Sequence, residues 1–135
     1  EFLRYGVMHR NTFLDSPRLL TPGYHFREEP RLLFAGQMTG VEGYMESAAS
    51  GILAGKNAAR MVRGLPPLIL PRDTMIGALA GYISDPGVKD FQPMGANFGI
   101  LPPLAEPIRD KRLRYAALAQ RALASLEAAL EEAEK

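Results

Sequence analysis

Leu32-Leu33-Phe34-Ala35-Gly36-Gln37-Met38-Thr39-Gly40-Val41-Glu42-Gly43, followed by YMESAASGILAGKNAARMVR from Tyr44 to Arg63, decides how this chain is read. The opening four apolar residues lie between Pro30 and Gly36 and do not alternate with polar ones. That pattern predicts a short strand buried on both faces, as in a parallel sheet. The glycine-punctuated turn over Gly36–Gly43 follows, and then a helix expected from about Gly43 to Val62. Strand, glycine turn and helix in that order form the ligand-cradling device of doubly wound α/β folds. Small residues let the backbone approach a ligand, and the helix start offers free N–H groups and a positive partial charge.

The helix is rich in small residues. Ser47, Gly51, Ala54, Gly55 and Ala58 fall along one side at three- and four-residue spacings. Gly51 and Gly55 each cost about 1 kcal/mol relative to Ala in a helix interior. Close approach to a neighbouring strand or helix is the expected compensation, and Ala48, Ala49 and Ala58 read as core. For the turn itself a ligand is the preferred reading, because eight positions hold more small residues than a simple connection needs.

Working outward, Phe2–Val7 reads as a short strand, and His9-Arg10-Asn11-Thr12 as a polar cluster among apolar neighbours. Ser16-Pro17 and Thr21-Pro22-Gly23 mark turns, the second flanked by Leu19-Leu20 and Tyr24-His25-Phe26, a small antiparallel feature. Gly64 is a stop for the long helix, and GLPPLILPR (64–72) is extended. A second helix is expected from about Thr74 to Ile83 with Asp73 as its cap. Residues 88–106 hold two phenylalanines and several glycines and prolines, and read as a loop packed on the core. A last helix is expected over about Ile108–Lys135, docked by a stripe of Tyr115, Ala119, Ala122, Leu126, Ala129 and Ala133. Its charges oppose the macrodipole, with Arg109, Lys111, Arg112 and Arg114 early and glutamates late. A solvated face explains them most simply; a patch for a phosphate backbone is the sharper alternative.

The 135 residues are 47% hydrophobic, enough for one core, and the formal net charge of +1 provides no global field for nucleic acid. The absence of cysteine excludes disulfides, thiolate metal sites and cysteine nucleophiles within the segment, and two histidines argue against zinc. No run of 18 apolar residues occurs, so no membrane span is expected. The chain opens Glu-Phe-Leu, as an excerpt of a longer protein would.

Three blocks carry a family resemblance: RYGVMHRNTF (4–13), LLFAGQMTGVEGYMESAASGILAGKNAAR (32–60) and FQPMGANFG (91–99). Together they resemble the folate- and flavin-dependent tRNA methyltransferases that make 5-methyluridine in the T-loop, relatives of the flavoprotein that modifies the wobble uridine. Two small departures are Gly95, where Asn is expected, and Leu14-Asp15 in place of Ile-Asn. The resemblance implies an α/β fold: part of a glutathione-reductase-like, Rossmann-type FAD-binding domain plus a long C-terminal helix. Within it fall a strand-turn-helix core at 31–63, a loop and helix at 64–106, and the last helix at 107–135. It implies the carboxy-terminal third of the enzyme, without the family's GxGxxG fingerprint or its catalytic cysteines. The segment then holds no catalytic residue and does not turn over substrate alone.

The implied chemistry is reductive methylation of uracil C5 in a cytoplasmic enzyme. Methylenetetrahydrofolate is the one-carbon donor, FAD the flavin and NAD(P)H the reductant. The implied FAD contacts are Gly36, Gln37, Gly40, Val41, Glu42, Gly43 and Tyr44. Folate falls to His9, Arg10, Asn11 and Tyr44, and tRNA to Arg109, Lys111, Arg112 and Arg114; His25 reads as structural. Implied partners are tRNA, folate and the remaining N-terminal part of the enzyme, with no membrane. Another FAD-dependent tRNA-modifying oxidoreductase, or a non-catalytic RNA- or partner-binding module, remains as an alternative.

Overall fold

The computed structural model describes residues 12–134. The strand expected over Phe2–Val7, and His9, Arg10 and Asn11, lie outside the described residues. Pro17 opens a single helical turn, α1 (Ser16–Leu19), at a position where its missing N–H is no loss. The chain then folds back on itself. Leu20 bridges Phe26 and His25 bridges Leu33, both antiparallel. The Tyr24 N–H donates to the Thr21 carbonyl at 2.9 Å and closes the intervening turn. His25 is structural, as expected: it is buried, with Nδ1 2.8 Å from the Pro30 carbonyl.

The buried parallel strand expected at Leu32–Ala35 does not form. Its backbone pairs antiparallel with Tyr24–Phe26, through Phe34 N–H to Tyr24 at 3.0 Å and Phe26 N–H to Leu32 at 2.8 Å. Leu32 is 51% exposed. A parallel strand buried on both faces needs neighbouring strands, and among the described residues none lies beside this run. The one parallel pair lies after the turn, where β1 (Val41–Glu42) runs alongside β2 (Met94–Gly95) in the register Val41 to Met94 and Glu42 to Gly95. Helices and a small parallel sheet keep the fold in the α/β class.

The long helix α2 (Tyr44–Val62) forms where its pattern predicts and buries Ser50, Leu53, Ala54 and Asn57. Full burial of a side chain such as Leu53 contributes about 1.5–3 kcal/mol. Among the described residues nothing approaches its glycines closely: a Cβ built on Gly51 or Gly55 meets nothing within 4 Å. Ala48, expected in the core, is exposed. Gly64, at φ +69°, ends the helix, and the Leu65 N–H returns to the Arg60 carbonyl at 2.9 Å. The extended strap that follows is tied to α2 by Asn57. This buried amide donates to the Gly23 and Leu68 carbonyls at 3.1 Å each and accepts from the Leu68 N–H at 2.6 Å.

Helix α3 (Met75–Ile83) is capped by Thr74, not by Asp73: the Thr74 hydroxyl accepts from the Gly77 N–H at 3.0 Å. Asp73 instead accepts from the Ser125 hydroxyl at 2.7 Å. The last helix, α4 (Lys111–Ala133), starts later than expected. Asp110 sets that start, its carboxylate accepting from the Leu113 N–H at 2.8 Å. The docking stripe holds at Tyr115, Ala122, Leu126, Ala129 and Ala133, but Ala119 is exposed and Leu118 is the side chain buried deepest. Leu20, Tyr24, Val41, Leu53, Leu79 and Ile83 form the centre of the main core. Ala78, Leu101 and Leu118 form a smaller cluster under α4. Among the described residues, no helix is long and apolar enough to cross a membrane.

Candidate functional site

The turn between Gly36 and Tyr44 is built by positive-φ glycines and pinned from beneath. Gly36–Thr39 forms one 3-10 turn, and Gly36, Gly40 and Gly43 have φ of +75°, +88° and +106°. Left-handed conformations of this kind cost an L side chain roughly 1–2 kcal/mol. The Gly36 N–H donates to the Ser50 hydroxyl of α2 at 2.8 Å, and the buried Thr39 hydroxyl donates to the Gly36 carbonyl at 2.8 Å. Gly40 also has to be small, because a Cβ there would run into the Phe91 ring.

Phe91 belongs to the loop over residues 88–106, which packs on the core as expected. Its ring meets Tyr82 at 5.6 Å between centroids, and the Met94 N–H donates to the Gly40 carbonyl at 2.8 Å.

The turn delivers the chain to the start of α2, where Gly43 is the cap residue and, among the described residues, no side chain satisfies the first amides through a cap hydrogen bond. Free N–H groups and the positive end of a 19-residue helix face outward there. Glu46, a residue sequence reasoning missed, folds back so that its carboxylate occupies the space a Gly43 Cβ would take. It also accepts from the Ala96 N–H at 2.9 Å, tying the helix start to the loop after β2. Its signal was legible as an acidic residue three positions beyond Gly43, the spacing at which a glutamate reaches back over a helix start.

Behind this corner, between α2 and α3, lies an apolar cavity of about 220 Å³ bordered by Val41, Met45, Ala49, Met75 and Leu79, with Glu46 at its edge. Tyr24 forms part of its wall, and burial pushes the Tyr24 phenol well up, so it stays neutral.

The expected FAD residues form one contiguous corner, but they do not present the same groups. Gly40 and Val41 are buried, backbone included, and Gly36 is half-buried. Gln37 and Gly43 are exposed and Glu42 is half-buried. Tyr44 is 97% exposed, which rules out a core aromatic.

The basic residues split as well. Lys111 and Arg114 reach over the Tyr115 ring at 5.6 and 5.7 Å from its centroid, and that ring stacks on Phe98 at 4.3 Å. Arg114 also donates to the Ile108 carbonyl at 3.4 Å. Arg109, Lys111 and Arg112 are exposed and Arg114 is half-buried.

Sequence comparison places this geometry in a family. The model of the family described as glucose inhibited division protein A matches residues 1–66. Over 126 residues the chain is 64% identical to the methylenetetrahydrofolate--tRNA-(uracil-5-)-methyltransferase TrmFO of Lactiplantibacillus plantarum, covering 93% of this chain and 29% of that protein. The TrmFO of Thermosynechococcus vestitus is 62% identical, over 93% of this chain and 28% of its own length. That of Streptococcus equi subsp. equi is 60% identical over 131 residues, 96% of this chain and 30% of its own. With identity this high across nearly all of its length, the chain belongs to the TrmFO family, as a segment spanning less than a third of the relatives' length.

Proposed function

We propose that this chain is the carboxy-terminal part of a glutathione-reductase-like FAD-binding domain in an enzyme that methylates uracil C5 of tRNA, with methylenetetrahydrofolate as donor. The observation that carries the reading is the 64% identity to a relative named for that reaction. The corner at Gly36–Tyr44 fits a flavin. Three positive-φ glycines turn the chain and bring it to the surface at Gly43, and the helix start there lacks a side-chain cap hydrogen bond among the described residues. Bound FAD would supply electrons drawn from NAD(P)H.

This chain's own residues would hold and tune that cofactor. The backbone of Gly36 and Gly43 and the first amides of α2 would face its electron-rich edge, with the buried Gly40 and Val41 shaping the turn beneath and Gln37 and Glu42 as polar side chains beside it. The helix end favours an anion there by about 0.3–1 kcal/mol, more where water is excluded. Tyr44, fully free in the segment, would border flavin and folate. His9, Arg10 and Asn11 are proposed for the folate side, with Arg10 suited to a carboxylate. Catalytic groups would come from the remaining N-terminal part. A tRNA substrate implies a cytoplasmic location and no membrane.

The test uses a full-length polypeptide carrying this segment. Gly43→Ala and, separately, Tyr44→Ala should each lower the flavin-to-protein absorbance ratio after purification. Tyr44→Ala should do so without changing the melting of the apo form, because its side chain is free of the described core. An undiminished ratio in both variants overturns the placement of flavin at this turn.

A further inference from the structure

Helix α2 has a second long face. Ala48, Gly51, Ile52, Gly55 and Val62 are all exposed, and at 100° per residue they share an arc of about 100°. The arc contains no charge. Ile52 and Val62 are 64% and 84% exposed, two large apolar side chains that the described segment leaves in water on this arc. Between them the smallest residues leave a groove, with nothing within 4 Å of a Cβ on Gly51 or Gly55. Two interior glycines cost the helix about 2 kcal/mol against alanine and gain nothing within the segment.

We infer that this face seats a helix from the portion of the same polypeptide that this chain does not span. That portion is large, because the chain accounts for 28–30% of its relatives' length. A helix fits better than a loop. The glycines stand four residues apart on a 19-residue helix, so their groove follows the i, i+4 row into which another helix's ridge packs. The uncharged lining calls for an apolar ridge, and the missing side chains allow unusually close backbone approach. The inference rests on the chain being a segment of a longer protein and is independent of where the flavin binds.

The experiment is maleimide labelling of the full-length protein carrying Ile52→Cys, with modification located by peptide mapping. Glu127→Cys, at an exposed charged position of α4, is the reference. Ile52→Cys should label about 100-fold more slowly than the reference in the native protein and at the same rate once unfolded. Protection should be the same with flavin present or removed and at every protein concentration. Equal native rates overturn the inference. Protection lost on dilution assigns the face to a second copy, and protection only with flavin bound assigns it to the cofactor; either outcome also overturns it. Gly55→Leu supplies an independent measure: it should lower the unfolding midpoint of the full chain, whereas a face left open to water would gain helix propensity and unfold no earlier.

Discussion

Asn57 shows how one residue organises several segments. In the sequence it is a polar interruption inside a run of alanines and glycines, with no periodic signal to set it apart. In the fold it is fully buried and satisfies three backbone groups, in the turn at Gly23 and in the strap at Leu68. Removing the amide leaves those groups without partners away from water, at about 1–3 kcal/mol for each that finds no substitute. Asn57→Ala should therefore destabilise the protein by about 3 kcal/mol. Amide exchange at Leu68 should accelerate in step. An unaltered Leu68 exchange rate would show that the amide is not what holds the strap. Arg60 is a related case. Its place near the helix end suggested complementation of the dipole, yet it also donates to the Pro66 carbonyl at 2.7 Å and the Ala133 carbonyl at 2.9 Å.

At the scale of elements, helices were legible and strands were not. The 3.6-residue pattern located α2, α3 and α4 to within a few residues, because one face of each is set by its own sequence. Their ends shifted where a cap was misjudged: Thr74 outcompetes Asp73, and Asp110 delays α4. The run Leu32–Ala35 was misread because four apolar residues do not say which edge finds a partner. Its actual pairing depends on a turn ten residues earlier, where Tyr24 sits at φ +68°.

The glycine turn was legible as a turn, but the ring beneath Gly40 was not, since Phe91 is far away in sequence. That contact can be measured. Gly40→Ala should cost about 1–3 kcal/mol from overlap and backbone strain together. Phe91→Ala should relieve the overlap but not the strain, so the double variant should be less destabilised than the sum of the two single ones. Strict additivity in a denaturation cycle would mean that the ring and the turn do not interact.

At the scale of the molecule, the family was more readable than the architecture. The blocks at 4–13, 32–60 and 91–99 carry the resemblance, whereas burial had to come from the fold. The basic start of α4 illustrates the difference. Composition grouped four cations, but Lys111 and Arg114 lie over the Tyr115 ring and Arg114 is half-buried there, leaving Arg109 and Arg112 as the exposed cations away from that ring. If tRNA crosses this face, Arg109→Glu with Arg112→Glu in the full-length protein should weaken binding. The slope of log affinity against log salt should then flatten by roughly 1.4–1.8. An unchanged slope would remove tRNA from this surface.

The tie between Asn57 and Leu68 also bears on how such chains can diverge in length. Exposed connectors ordinarily accept insertions and deletions freely. Here the connector leaves α2, turns at Gly64 and returns to the same helix eleven positions after Asn57. One added or lost residue between those points would shift Leu68 out of register with the amide and carry the Leu68 and Leu70 side chains away from the core. The segment looks on the surface like a permissive loop, yet its length is as constrained as that of a buried strand.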